Sequence, residues 1–367
     1  MTGLNIKDFL TYGAFLQIGP DLFKVLVGPF DRHDSVNMDF FKHPTLLYKP
    51  NFWDFLNNSP NIPQKPVYSA TQVYVFDREE FIDFLSTVKS QRPEIKWEKL
   101  NETQFRTQFE WSQRNFKEQK LSKVVPIARE QGVVEFSFEN LLWCIQNLVQ
   151  NKTFGWSYGF FENSVGVIGH TPEILAHWNR IDQQLHTVAL AGTYIKSDNA
   201  NRKMLADKKI LNEHQIVIDD IVDKLNSLSF KSMSIQGPTD VLELKYLLHL
   251  MTEFQLEVEN IDQVFEVINV LHPTSAMGIY PHDLTKLKEF SEFNLQNQRG
   301  LFAAPFAIFE NDSVYCVVAI RNLIFSKDLV HIFSGCGVTS ESHYELELSE
   351  LQSKRDSVKK MLGLIND

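Results

Sequence analysis

Residues 313–325 read "SVYCVVAIRNLIF", a run of β-branched and aromatic residues with one arginine, Arg321, near its end. Such residues suit a pleated, half-buried surface, so the run is expected to be strand. Soon afterwards the pattern changes. In "GCGVTSESHYELELSELQSKRDSVKKML" (335–362), placing residues about 100° apart gathers Leu351, Val358, Met361 and Leu362 on one stripe. Glu345, Ser349, Gln352, Asp356 and Lys360 fall opposite, as in a helix beginning near Ser342. The same mixture recurs upstream. "GAFLQIGPDLFKVLVGPF" (13–30) reads as two strands around a Gly-Pro-Asp turn, and "VEFSFENLLWCIQNLVQN" (134–151) becomes helical after a short extended piece. "SYGFFENSVGVIGHTPEILAHW" and "QQLHTVALAGTY" read as strands, residues 203–225 as helix, and "DVLELKYLLHLMTEF" (240–254) as strand passing into helix. Strands and helices are interspersed without the regular alternation of a doubly wound sheet, so an α+β fold with largely antiparallel sheets is expected.

The chain has 367 residues, enough for a large buried core, and no fixed-period repeat or low-complexity linker divides it. It is read as a single domain over 1–367, with a divergent N-terminal part (1–100) and a core at 101–365. Hydrophobic residues make up 43% and charged residues 22%, the balance of a folded chain. A formal net charge of −10 argues against nonspecific binding to nucleic acid or anionic membranes, while leaving an anionic small substrate open. Cys144, Cys316 and Cys336 are odd in number and far apart, so no disulfide framework or CxxC metal pair is expected. The first residues lack a basic segment followed by an apolar run, and no apolar stretch reaches about 18 residues. Reducing cytoplasm is the expected compartment.

Several polar residues sit where apolar ones belong. Glu347, Glu350 and Lys354 fall on the apolar stripe of the last helix, and charges there cost several kcal/mol unless paired. In "LADKKILNEHQIVIDDIVDKL" (205–225) Ile210, Val217, Ile218 and Ile221 define an apolar arc, with Glu213 at its edge. Two separate glutamate-bearing helices suit a hard cation such as Mg²⁺, which takes carboxylate and water oxygens. Alternatively Glu213 is half-exposed and paired with Lys209 or Lys224. Arg321 must emerge at a strand end or find an anion: a substrate carboxylate, which a guanidinium binds bidentately, or a structural acid. Taken singly, Lys123 reads as a lysine at a strand start and Glu173, after Pro172, as a helix N-terminal charge. His272 precedes proline and is therefore extended or in a turn. Gly192, in "LAGT" (190–193), lets backbone approach a ligand.

In order, "SKVVPIAR", "TPEIL", "LAGT", "NEHQIVIDD", "HPTSAMGIYP", "RGLFAAP", "VVAIR" and the GCG segment with Glu347, Glu350 and Lys354 resemble the chorismate-utilising enzymes. That family comprises isochorismate synthases, salicylate synthases, anthranilate synthase large subunits and aminodeoxychorismate synthases. The resemblance runs from about Lys123 to the C-terminus and is closest to isochorismate synthase. It implies the fold of anthranilate synthase component I, a sandwich of two largely antiparallel sheets surrounded by helices. It also implies Mg²⁺ held by Glu213, Glu347 and Glu350, gripping the ring carboxylate of chorismate. Arg321 would bind the enolpyruvyl carboxylate. Ala191, Gly192, Thr193, His272, Phe302, Gly337 and Lys354 would complete the substrate site. Amine-using relatives carry glutamine at the position of Lys123, and aminodeoxychorismate synthases a nucleophilic lysine at that of Ala191. Both positions therefore imply water as nucleophile, with Lys123 as general base and Glu173 as general acid, and isochorismate as product. Salicylate synthase, which goes on to eliminate pyruvate, and a noncatalytic binding homologue are the alternatives. No glutaminase subunit is expected, and the state is monomer or homodimer.

Some family glycines are absent. Ile279, Ala304 and Ala307 stand where glycines are common, Tyr194 replaces a frequent arginine and Thr339 a usual valine. Extra carbons where backbone meets ligand are expected to narrow or reshape the pocket.

Overall fold

The 313–325 run is not one strand. In the computed structural model, which describes residues 3–33, 45–57 and 67–366, it divides into Ser313–Val318 and Asn322–Phe325, in different sheets. The chain crosses between sheets at 319–321. There Arg321 takes φ 54°, a left-handed conformation uncommon outside glycine. The crossing keeps its backbone bonds: the Ala319 N–H donates to Ala304 O, and Ala319 O accepts from the Ala303 N–H. Strand propensity is satisfied on both sides, so a continuous propensity signal conceals the break.

Two nine-stranded sheets result, with a separate two-stranded pair. The first runs Gln72–Asp77, Leu22–Val27, Tyr12–Gly19, Trp156–Glu162, Val165–Thr171, Asn322–Phe325, Leu329–Gly335, Ile127–Val133 and Lys96–Trp97. The second runs Met233–Glu243, Leu247–Glu257, Gln184–Ile195, Ile174–Asn179, Ser313–Val318, Pro305–Glu310, Thr45–Tyr48, Val67–Ser69 and Asp31–His33. Neighbouring strands pair antiparallel throughout.

Period-2 alternation sorts side chains between layers. Ala14, Leu16 and Val167 of the first sheet meet Leu47, Phe306, Ile308 and Val317 of the second. Their neighbours Phe15 and Ile168 turn outward, onto helices Arg78–Leu85, Phe138–Gln150 and Tyr344–Met361. Val314, Cys316 and Val318 face helices Lys208–Asn226 and Ile261–Leu271. The fold is thus α+β, a helix-clad sandwich of two antiparallel sheets. Cys144, Cys316 and Cys336 are buried and form no disulfide among the described residues. Among the described residues no helix is long and apolar enough to cross a membrane.

Two elements differ from expectation. Residues 247–257 form a strand, hairpinned onto Met233–Glu243, and not a helix. Leu248, Leu250, Phe254 and Leu256 are all buried, a period of two that the further apolar residues Tyr246, Leu247 and Met251 between and beside them obscure in sequence. Residues 203–225 are interrupted at Asp207, whose side chain caps the Lys208–Asn226 helix by accepting from the Lys209 and Ile210 N–H groups. The N-terminal strands are not an appendage: Tyr12–Gly19 pairs with Trp156–Glu162 inside the first sheet.

Candidate active site

A cleft of about 590 Å³, counting its open mouth, lies beside the 319–321 crossing. Lys123, Glu173, Ala191, Gly192, Thr193, Glu213, Phe302, Arg321, Gly337 and Lys354 all line it. His272 does not. Its Nε2 bonds Phe52 O at 2.9 Å, and its ring lies edge-on to Phe52 and Phe55.

Lys123 starts a two-residue strand paired with Ile279–Tyr280, and Val124 bridges to Val338. This clamp buries the ammonium completely, 3.4 Å from Glu213 Oε1. Burial pushes its pKa below the ordinary lysine value, although Glu213 opposes the shift. Gly337 leaves the space for that pair: a Cβ there would collide with the Glu213 carboxylate and Lys123 Cε. Glu173 is no helix N-terminal residue. It sits at the irregular start of strand Ile174–Asn179, with its N–H donating to Thr171 Oγ1 and its carbonyl accepting from Val318 N–H. Its side chain is buried and Oε2 has no partner. Burial raises its pKa to about 8, against the pull of Lys123 and Lys354. At neutral pH the cleft therefore holds a carboxylic acid able to donate a proton.

Arg321 is buried and no carboxylate among the described residues pairs with it. Its Nη1 donates to Ser357 Oγ at 2.9 Å and its Nη2 to His249 Nε2 at 3.0 Å, both neutral acceptors. His249 Nε2 must therefore be unprotonated, so Nδ1 carries the hydrogen and donates to Gly192 O at 3.1 Å. Burial and the adjacent Arg321 both hold His249 well below the usual histidine pKa, which keeps it neutral. Gly192, at φ 74°, forms a bulge in Gln184–Ile195 that turns its carbonyl to His249; a Cβ there would lie 2.7 Å from Ile210 Cγ2. Arg321 is left as a buried cation with donors to spare at the cleft wall. Sequence reasoning missed His249 because its strand was read as helix.

Each acid of the expected metal set holds a lysine: Glu213 with Lys123, Glu347 with Lys209 at 2.6 Å, and Glu350 with Lys354 at 2.7 Å. The Lys209-or-Lys224 alternative for Glu213 therefore does not hold: Lys209 is on Glu347 and Lys224 on Asp220. As the side chains stand, no three His, Cys, Asp or Glu among the described residues form a metal cluster. The donor chemistry nonetheless suits a hard cation. Glu347 Oε2 is buried without a partner, and burial, then Glu350, push the Glu347 carboxyl above its ordinary pKa while Lys209 holds it down. Lys354 also donates to Gly335 O at 2.8 Å.

The glycine replacements lie away from the cleft wall. Ala304 and Ala307 are buried in the core behind the second sheet, and Ile279 packs beneath Val124. Tyr194 packs beside Ile210, and Thr339 is buried where its N–H donates to Ser342 Oγ. The expected narrowing by Ile279, Ala304 and Ala307 therefore does not arise from direct contact with the cleft.

The profile of the chorismate binding enzyme family matches residues 69–363. Over 254 residues the chain is 29% identical to the chloroplastic isochorismate synthase of Catharanthus roseus, spanning 66% of this chain and 42% of that relative. It thus covers less than half the length of that curated protein. Among solved structures, MenF, the menaquinone-specific isochorismate synthase from Escherichia coli, superposes with TM-score 0.77 at 18% identity, covering 99% of this chain and 92% of that one. Anthranilate synthase component I from Streptococcus pneumoniae gives 0.70 at 14%, covering 96% and 92%. These likenesses support the same two-sheet fold. The chain belongs to the chorismate binding enzyme family.

Proposed function

We propose that the protein is an isochorismate synthase, converting chorismate to isochorismate. The observation that carries this reading is the meeting on one cleft of buried Lys123, buried Glu173 with its partnerless Oε2, and Arg321, a buried cation that no carboxylate among the described residues pairs with. Arg321 and Lys354 bind the two carboxylates' charge, and the Ala191–Thr193 bulge and Phe302 shape the wall against the ring. Lys123 takes a proton from water as its oxygen bonds ring C2. The ring double bonds shift, the C4–O bond breaks, and Glu173 gives its proton to the departing hydroxyl, which leaves as water. Burial serves both groups, lowering the lysine and raising the glutamate toward neutrality, as general acid–base chemistry requires. Glu213, Glu347 and Glu350 are the residues that would hold Mg²⁺. Bound there, the ion supplies positive charge for the substrate's ring carboxylate.

The test is incubation of purified protein with chorismate, with and without Mg²⁺, and identification of the product. Isochorismate that disappears in EDTA and in Lys123→Ala supports the reading. Salicylate fluorescence would assign the pyruvate-eliminating reaction instead, and full turnover by Lys123→Ala would remove the proposed base.

A further inference from the structure

Lys209 belongs to no role considered so far. It lies on the first turn of Lys208–Asn226, fixed there because the Asp207 cap accepts from its backbone N–H. Its ammonium bonds Glu347 Oε1 at 2.6 Å, and Glu347 is 1% exposed while Lys209 keeps a quarter of its side chain in solvent. Lys209 is the one cation among the described residues that forms an ion pair with Glu347. Of the three lysines in this acid cluster, Lys123 and Lys354 line the cleft and Lys209 does not. A buried carboxylate stripped of its only cation is costly, so Glu347 needs a positive neighbour whether or not a metal is present.

We infer that Lys209 is the resident counter-ion of the acid cluster, which a divalent cation must displace from Glu347 in order to bind, so that this side chain sets the affinity of the site for the ion. The inference rests on the metal reading given above. Its partly exposed stem lets the ammonium withdraw to solvent when displaced, which Lys123, wholly buried, cannot do. Competition of two cations for one carboxylate is negative coupling, and coupling between sites typically amounts to factors of about 5 to 150.

The experiment is Mg²⁺ titration calorimetry on the full chain without chorismate, for wild type, Lys209→Met, Lys209→Gln and Glu347→Gln, with melting temperature in EDTA as a companion readout. Lys209→Met is expected to bind Mg²⁺ about tenfold more tightly than wild type. It should melt lower in EDTA, because Glu347 loses its cation, and gain more on adding Mg²⁺ than wild type gains. Lys209→Gln, of similar length and neutral, gives the same order should the methionine variant fold poorly. Equal Mg²⁺ affinity in wild type and both Lys209 variants overturns the inference while leaving the metal site intact. Mg²⁺ that binds wild type and Glu347→Gln alike, or does not bind wild type, removes the metal reading beneath it.

Discussion

Glu173 shows how one side chain's surroundings set its use. The peptide around it, Pro172 followed by a strand, is ordinary; burial in the cleft wall is what raises its carboxyl to about 8, against the pull of Lys123 and Lys354. Two outcomes follow. Glu173→Gln should lose about 10²–10⁴-fold in kcat, the usual worth of a general acid, and wild-type kcat should fall as pH rises through about 8, where the acid loses its proton. Stability moves with the same sign. The folded carboxyl titrates higher than the ordinary 4.5, so the stabilisation that comes with the proton is complete below 4.5 and lost as pH rises toward 8. Urea unfolding of Glu173→Gln against wild type should therefore show the variant gaining between pH 4.5 and 8, by at most about 1.4 kcal/mol per pH unit, with no further gain above. A flat difference would place Glu173 in contact with water. Nothing in the residues near Glu173 reveals this, because its environment comes from strands far away in sequence.

At the scale of an element, helix Tyr344–Met361 carries the clearest lesson. The stripe of Leu351, Val358 and Leu362 is buried as its spacing implies, and Glu347 is buried beside it. Arg355 and Lys359 are buried as well, which the apolar stripe does not reveal. They share Glu130 of strand Ile127–Val133: Arg355 Nε reaches Oε2 at 3.2 Å and Lys359 Nζ reaches Oε1 at 2.6 Å. Glu130→Gln leaves two buried cations against a neutral amide, and should cost about 3–5 kcal/mol in chemical denaturation, as breaking a buried ion pair does. The same helix supplies an internal control. Leu351, wholly buried, should lose about 2–5 kcal/mol on change to alanine. Leu346, 68% exposed, should change by less than about 0.5 kcal/mol. Equal costs at the two positions would mean the helix is rotated on the sheet. Periodicity exposed the helix; it was silent on Glu130, which lies over two hundred positions away.

The whole molecule is built by a chain that keeps changing sheets. Val165–Thr171 lies in the first sheet and Ile174–Asn179 in the second, with Glu173 at the step between them. Ser313–Val318 and Asn322–Phe325 repeat the move with Arg321 at the step. Two crossings place an acid and a buried cation on one cleft, and the strain at Arg321 is held by His249 and Ser357. The N-terminal strand pair closes the first sheet alongside Trp156–Glu162. A chain beginning at residue 69, where the family profile starts, should consequently fail to fold: it exposes the edge of Trp156–Glu162 and unpartners Phe160 and Phe161. Recovery of a soluble, cooperatively melting 69–367 fragment would show the pair to be dispensable.

By itself the sequence determined the fold class, the helix-borne acids and the segment order, because periodicity and propensity are local and survive in any context. It left open whether Glu213 pairs with a neighbour on its own helix, and it read Arg321 as part of a strand. Only the tertiary structure broke the 313–325 run at a sheet crossing, turned residues 247–257 into a strand that delivers His249, and set Glu213 and Glu347 against lysines from other segments. Those outcomes depend on which distant surfaces meet, and burial, which governs the charges, is a property of that meeting and of no single stretch of chain.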